Sequence, residues 1–206
     1  MLIESDYRFR GHSLSAGRPI AGVQLTFDHH SGLYASASAI GQLTKDDFRL
    51  LGKQGNIGFA RRLTPELTLD LGAIRSEFRP ADAYARRRDY TEFYGGLSYR
   101  GTVARLSYSP NYYYPRTPTL YGEVEASVEP RDKWHLTGHL GTQIYLDGPY
   151  YPGASSSYFD WRLGLSRRLG ALELHTAVSG GGPGKDYYGY QAHSKTALTA
   201  GASLSF

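Results

Sequence analysis

Sixteen ionisable side chains fall at alternate positions of short segments, where one face of an extended strand would hold them. They are Glu4, Asp6, Arg8, Arg10, Asp28, Asp70, Glu92, Arg105, Glu123, Glu125, His135, His139, Asp160, Arg162, Glu173 and His175. Such side chains could transfer protons, bind a metal or line a water-filled path. A dry core could hold them only if nearly all were paired. These polar faces therefore predict either an aqueous lumen or a rigid network of salt bridges, and both interpretations remain open.

The segments that carry these residues have the pattern of β-strands with one polar and one apolar face. Residues 195–206 show it most clearly, since Leu198 and Phe206 share a face with small apolar residues while serines occupy the other face. About twelve such segments, each of roughly nine to twelve residues, follow one another, which is the length that crosses a bilayer when tilted. The first is predicted at residues 4–11, with Tyr7 and Phe9 on its apolar face.

The connections between the predicted strands alternate between short and long. Short turns follow the even-numbered strands, and longer segments, such as residues 42–54 and 76–90, mostly follow the odd-numbered ones. Bacterial outer-membrane barrels have this asymmetry, with short periplasmic turns and longer extracellular loops. The sequence therefore predicts an all-β, transmembrane, antiparallel up-and-down barrel of about twelve strands, a single domain over residues 1–206 with both termini periplasmic. A soluble all-β fold is the alternative, but it does not predict that short and long connections alternate.

Composition narrows the classes of function. No apolar run approaches the ~18 residues of a transmembrane helix, and 18 Tyr and 25 Gly favour strands. The absence of Cys excludes disulfides and thiolate metal sites. The net charge of +4 comes from scattered basic residues, so we expect no nucleic-acid partner. Met1 runs directly into Leu2 without a signal peptide, and we therefore expect a mature form with an added Met.

The motifs that could carry catalysis or bind a cofactor are incomplete. His135 and His139 lie about 13 Å apart on one strand, too far to share a metal ion. The glycine-rich residues 180–185 resemble a phosphate loop, but Asp186 stands where Ser or Thr would bind magnesium. A lipid hydrolase would need a Ser and a His together at the lipid boundary, whereas these histidines are predicted to face inward. We expect no enzyme activity, no cofactor and no metal.

Several aromatic and basic residues are predicted at the extracellular rim. Tyrosine clusters at 112–114, 150–151 and 187–188 lie at loop bases, where an aromatic girdle is favoured over a sugar-stacking site. Arg75 is the main charge on the apolar face and falls near the extracellular end of its strand, where it could meet an anionic lipid headgroup. Residues 86–88 are three arginines that could touch lipopolysaccharide phosphates. Membrane lipids and lipopolysaccharide are therefore expected partners.

The charged interior favours a pore. Twelve strands place the barrel between side-chain-filled barrels of eight strands and open porins of sixteen. Nine inward carboxylates exceed the four inward arginines, which weakly favours cations. We expect an outer-membrane porin for passive diffusion of small hydrophilic solutes or ions through a narrow lumen. The alternatives are an occluded structural or adhesive barrel that acts through its loops and, less favoured, an outer-membrane lipid hydrolase.

Scattered motifs across the chain resemble those of the TorF-type porin family of proteobacteria. Residues 5–11 (SDYRFRG), followed by Gly17-Arg18-Pro19, resemble its N-terminal signature. Residues 89–99 and 108–113 are similar to its middle block, and residues 160–164 (DWRLG) to its late block. The resemblance implies an outer-membrane barrel with porin function in a Gram-negative bacterium, without catalytic residues. It also implies that Phe206 is a recognition signal for the outer-membrane assembly machinery.

Overall fold

The computed structural model of the protein describes residues 1–44, 48–79, 88–113, 115–148, 155–182 and 196–206. Within these ranges the strands are β1 (Leu2–Glu4), β2 (Arg8–Phe9), β3 (His12–Ser13), β4 (Ile20–Asp28), β5 (Leu33–Leu43), β6 (Phe48–Arg62), β7 (Leu67–Phe78), β8 (Arg88–Tyr99), β9 (Thr102–Ser109), β10 (Thr119–Arg131), β11 (Trp134–Tyr145), β12 (Ser157–Leu169), β13 (Leu172–Gly182) and β14 (Thr196–Leu204). The described residues contain no helix that is long and apolar enough to cross a membrane.

Twelve of these strands, β1 and β4 to β14, form one closed antiparallel barrel in chain order. The ring closes through β1, where Glu4 lies opposite Gly201 of β14 and Ile20 of β4. Short connections join β4 to β5, β6 to β7, β8 to β9, β10 to β11 and β12 to β13. We call the end with these connections the short-turn end and the opposite end the long-loop end. The predicted twelve-strand antiparallel barrel is confirmed.

The outer face of the barrel is apolar. Leu25, Phe27, Ile57, Leu140 and Leu198 are each between 65% and 73% exposed. A continuous exposed apolar belt of this kind would promote aggregation in water and is stable when lipid surrounds it. The alternating pattern therefore leaves the polar face of each strand for the interior of the barrel.

Tyrosine rings of the inner face lie over glycines of neighbouring strands. A Cβ atom on Gly58 would collide with the ring of Tyr34, and one on Gly72 would collide with Tyr94. The two hydroxyls are hydrogen bonded to each other, and that of Tyr34 also donates to Asp70 at 2.6 Å. The glycines therefore let bulky aromatic side chains lie flat against the wall.

The predicted first strand is wrong beyond Glu4. The chain leaves the wall after β1, enters the lumen, forms a small hairpin from β2 and β3, and returns to the wall at Ile20. Arg10 and Gly11 form the tip with φ angles of 46° and 78°, which is the conformation that two-residue hairpin turns require. Tyr7 and Phe9, predicted to face outward, thus belong to the interior. We call residues 5–19 the luminal hairpin.

The loops predicted at residues 42–54 and 76–90 are also wrong, because the strands on both sides extend into these residues. β5 continues to Leu43 and β6 begins at Phe48, while β7 continues to Phe78 and β8 begins at Arg88. Ile40 pairs with Gly52 and Gly41 with Leu50, so Leu51 is the extra residue of a β-bulge and its side chain is buried. A bulge shifts the side-chain alternation by one residue, and this hid the start of β6 in the sequence.

Candidate permeation path

The luminal hairpin is held together by polar side chains of its own. The Asp6 carboxylate accepts hydrogen bonds from Ser13 Oγ and, at 2.7 Å, from Ser15 Oγ. Arg8 Nη2 donates to the backbone oxygen of Gly11 at 2.5 Å, and its Nη1 lies 3.6 Å from Asp6. The pKa of Tyr7 is raised to about 12, mainly because its hydroxyl is buried and to a lesser extent because of the negative charge of Glu4. These bonds make the hairpin a defined structural unit rather than a loose segment.

Arg10, at the hairpin tip, reaches the opposite wall of the barrel. Its Nη2 donates to both carboxylate oxygens of Glu92 in β8 at 2.9 Å, and its Nη1 donates to Gln143 in β11 at 2.7 Å. The guanidinium carbon lies 3.7 Å from the centroid of the Tyr121 ring. Charge-assisted hydrogen bonds to a carboxylate and stacking on an aromatic face are strong contacts for arginine. Arg10 therefore anchors the hairpin across the lumen.

Aromatic residues enclose the hairpin toward the long-loop end. The buried cluster contains Leu14, Phe78, Tyr90, Tyr112, Tyr113 and Tyr145. Phe9 of the hairpin packs against Phe78, with 5.3 Å between the ring centroids. This cluster narrows the lumen between the hairpin and the long loops.

Two of the tyrosines predicted to form an aromatic girdle belong to this interior cluster. Tyr112 is 1% exposed and Tyr113 is 7% exposed, so neither faces lipid. The girdle interpretation fails for them because the chain after β9 turns inward over the lumen, where the two rings stack 4.1 Å apart. The other clustered tyrosines, at 114, 150, 151, 187 and 188, lie outside the described residues.

Beyond the hairpin, toward the short-turn end, the wall carries a network of charged side chains. Arg105 Nη2 lies 3.3 Å from Asp70 and its Nη1 lies 3.9 Å from Glu123. The same guanidinium stands 4.6 Å from the centroid of the Tyr94 ring. Arg105 therefore joins β7, β9 and β10 on the inner face.

His139 is the centre of a second group. Its Nε2 lies 2.9 Å from Asp160 and 3.1 Å from the Tyr121 hydroxyl, and its Nδ1 lies 3.6 Å from Glu125. Glu125 also pairs with Arg162 at 3.6 Å, although both of these side chains are about half exposed, at 52% and 51%. Inward-pointing side chains with this exposure show that this part of the lumen is accessible to water.

The remaining predicted interior residues lie on the same inner face. Glu4 pairs with His175 at 2.9 Å beside the closure of the barrel, and Glu173 lies 4.0 Å from Arg168. Asp28 lies on the inner face at the short-turn end, opposite Tyr34. His135 has a buried Nδ1 without a hydrogen-bond partner among the described residues.

Two cavities adjoin the hairpin inside the barrel. One, of about 250 Å³, is lined by Arg10, Glu92, Glu123 and His139 among others. The other, of about 270 Å³, is lined by residues that include Glu4 and His175. Arg8 and Arg162 line both, so the cavities adjoin each other around one side of the hairpin. All of the predicted interior residues except Asp28, Asp70 and His135 line at least one of the two.

Sequence reasoning missed the features that narrow this path. It treated Arg8 and Arg10 as wall residues, and it did not include Tyr121 or Gln143 among the site residues. One signal was available, since Arg10-Gly11 stands between two short alternating segments and glycine is favoured in the second position of a two-residue turn.

Within the described part of the chain, the luminal His139 and His175 take part in neither a metal cluster nor a serine–histidine pair. Among the described residues, no group of three or more His, Cys, Asp or Glu side chains could hold a metal ion. His139 and His175 each pair with a carboxylate, but the described residues place no serine hydroxyl in hydrogen-bond contact with either ring. A nucleophile, base and orienting acid are therefore not assembled at these histidines.

Known structures share the fold. The NanC porin aligns with a TM-score of 0.67 and the KdgM porin with 0.58, each at 10% identity and over 100% of this chain and 99% of theirs. The outer-membrane channel DcaP of Acinetobacter baumannii aligns with a TM-score of 0.51 at 11% identity, over 92% of this chain and 63% of its own. At these identities the similarity establishes the fold alone.

Sequence comparison assigns the family. No curated protein sequence matches the chain. The family model described as "Bacterial protein of unknown function (Gcw_chp)" matches residues 1–196. The TorF-type family is not named by this match, and that resemblance stays a prediction. Because the match covers nearly the whole chain, the protein belongs to the Gcw_chp family of bacterial proteins.

Proposed function

We propose that the protein is an outer-membrane channel through which small hydrophilic solutes or ions diffuse passively, and that the luminal hairpin sets its width. The observation that supports this proposal most directly is the half-exposed pair Glu125–Arg162 on the inner face of a closed barrel. A side-chain-filled core would bury such a pair, whereas a wet path leaves it accessible.

The outer membrane is the location that fits the two faces of the barrel. The apolar outer belt needs lipid, and the interior needs water or ion pairs. In this arrangement the short-turn end and both termini face the periplasm, and the long-loop end faces outward. The porin fold of NanC and KdgM is consistent with this location.

The charges of the inner face favour cations. Nine predicted interior carboxylates stand against four predicted interior arginines. The ion pair between Arg10 and Glu92 removes one charge of each sign and leaves this surplus unchanged. The KdgM porin has been solved with oligogalacturonate, an acidic saccharide. The surplus of carboxylates here would repel such an anion, so a neutral or cationic solute is the better match.

The test is conductance of the refolded protein in planar bilayers. We expect the wild-type barrel to conduct in small steps and a variant with residues 7–15 replaced by a Gly-Ser linker to conduct in larger ones. Arg10→Met provides a milder change that keeps the hairpin. In a salt gradient the reversal potential should indicate cation preference. Clear anion selectivity would contradict the electrostatic argument, and silence of all three proteins would refute the channel.

A second candidate is an occluded barrel with a structural or adhesive role. The observation that favours it is the buried aromatic cluster above the hairpin, in which Tyr90 and Tyr112 are each 1% exposed. Conductance seen only after the hairpin is replaced would support this candidate. Release of fatty acids by the refolded protein would instead revive the lipid hydrolase.

The proposal includes assembly through the last strand. Phe206 follows β14 and is 90% exposed, so it is accessible to a partner. We expect the outer-membrane assembly machinery to recognise this end of the chain.

A further inference from the structure

Four charged residues lie on the outer face at the long-loop end of β6, β7 and β8. Lys53 is opposite Glu77, and Glu77 is opposite Asp89, so these three form a row across neighbouring strands. Arg75 belongs to the next outward-facing row toward the short-turn end, between Gly55 and Thr91. Charges on a lipid-facing surface are unfavourable at the midplane of a bilayer and inexpensive near its edges.

The register places these charges at the border of the apolar belt. The outward-facing row that follows Arg75 contains Ile57 and Phe93, which are 67% and 55% exposed. The hydrocarbon boundary therefore passes just below Arg75. At this depth the outer face would meet lipid headgroups rather than acyl chains.

An apolar groove leads away from the two cations. It has a volume of about 490 Å³ and is lined by Val23, Leu25, Ala37, Ala39 and Gly55, with Lys53, Arg75 and Glu77 at its border. A Cβ atom added to Gly55 would meet no heavy atom of the described residues within 4 Å. The small residues thus leave a depression between larger apolar side chains, and one acyl chain could occupy it.

The two cations are accessible. The Lys53 side chain is 58% exposed and lies 3.1 Å from Glu77, while that of Arg75 is 52% exposed and lies 3.9 Å from Asp89. Arg75 also donates to Thr91 Oγ1 at 3.3 Å. The carboxylates are less accessible, since the Glu77 and Asp89 side chains are 24% and 26% exposed. Ion pairs with one solvent-exposed partner still contribute little free energy, so a phosphate could replace the carboxylates as the partner of both cations.

We propose that this surface, the Lys53–Arg75 patch with its groove, binds a phosphorylated glycolipid of the outer leaflet. A headgroup phosphate pairs with Lys53 and Arg75, and an acyl chain lies in the groove beside Gly55. The assignment to the outer leaflet rests on the proposed function, in which the long-loop end of the barrel faces outward. It does not require a conducting lumen. Because Lys53 and Arg75 are paired with Glu77 and Asp89, the phosphate must displace both carboxylates. A phosphate offers several acceptor oxygens to the two cations, and the depth of the cations selects a lipid as its carrier.

The experiment is native mass spectrometry of the detergent-solubilised barrel titrated with bisphosphorylated lipid A. We expect Lys53→Gln/Arg75→Gln to weaken binding roughly tenfold or more, since each basic residue near a membrane surface contributes to anionic lipid binding. Arg61→Gln/Arg167→Gln is the matched control because both arginines belong to outward-facing rows at the short-turn end, opposite Leu69 and Trp134. The control should bind like the wild type.

Two further arms test the parts of the site separately. Gly55→Leu fills the groove without changing charge and should also weaken binding, while lipid A without phosphates should bind poorly to the wild type. Equal binding of both lipids, or unchanged binding by Lys53→Gln/Arg75→Gln, would overturn the proposal. Conductance of these variants should match the wild type because the changes lie outside the lumen. A silent barrel that still selects the phosphorylated lipid would refute the channel and leave this site intact.

Discussion

The anchor between Arg10 and Glu92 leads to a quantitative prediction about release of the luminal hairpin. Arg10→Met keeps an unbranched apolar stem but removes the guanidinium. Glu92, whose side chain is only 4% exposed, would then remain buried without its cation. Because the chain contains no Cys, Leu14→Cys introduces a single thiol on the hairpin, and Leu14 is 3% exposed. The rate at which a water-soluble maleimide labels this thiol measures how often the hairpin opens.

The expected increase in the labelling rate follows from the burial of the Arg10–Glu92 ion pair. Removing one partner of a buried, hydrogen-bonded ion pair costs about 3–5 kcal/mol. When opening and closing are faster than labelling, that loss should raise the labelling rate at least about a hundredfold, up to the rate of a fully exposed thiol. Adding Glu92→Gln to Arg10→Met should reverse part of the increase, because no uncompensated charge then remains buried.

The control is a pair of similar chemistry outside the lumen. Arg100 donates to Glu66 at 2.6 Å, but the two side chains are 65% and 45% exposed. Arg100→Met in the same Leu14→Cys background should therefore change the labelling rate less than about threefold. If Arg10→Met labels no faster than Arg100→Met, the hairpin is not anchored by Arg10.

Three other predictions concern the aromatic cluster, the wall and the end of the chain. The Tyr112 hydroxyl is buried without a hydrogen-bond partner among the described residues. Tyr112→Phe should therefore leave the free energy of unfolding in urea unchanged or raise it by at most about 1 kcal/mol. Tyr112→Ala should lower it by about 3–5 kcal/mol. Gly72→Ala should displace the Tyr94 ring and lower the free energy of unfolding by about 1–3 kcal/mol. Gly122→Ala is the control, because a Cβ atom there would have its nearest neighbour 3.8 Å away. It should leave the free energy of unfolding nearly unchanged. Deleting Phe206 should slow assembly in cells, measured by heat-modifiable mobility on gels, but leave refolding in detergent unchanged; normal assembly in cells would contradict a recognition role.

The alternation of side chains was enough to predict the barrel. A period of two assigns each residue of a regular strand to one face, and this is why Leu140 and Leu198 could be placed on the outside and His139 on the inside. The parity of turn lengths then indicated the order of the strands. These features depend on local sequence, and the structure agrees with them.

The contents of the lumen could not be predicted in the same way. Residues 5–11 alternate equally well in a wall strand and in an interior hairpin, because the period is the same in both. What distinguishes the two is contact with distant residues, such as Glu92 and Gln143, which lie 82 and 133 residues from Arg10. Tyr112 and Tyr113 were misplaced for a related reason, since a loop residue has no strand alternation to assign its face.

The luminal hairpin is joined to the wall at both of its ends, through β1 and β4. If it leaves its contacts in the lumen, it therefore stays covalently tethered to the barrel wall. A short tether of this kind keeps the local concentration of the displaced segment near the millimolar range. Rebinding is then intramolecular, and it is independent of the amount of protein in the membrane. The hairpin of each barrel would consequently close only its own lumen. The barrels of a membrane would therefore open and close independently of one another, because no blocking molecule passes between them.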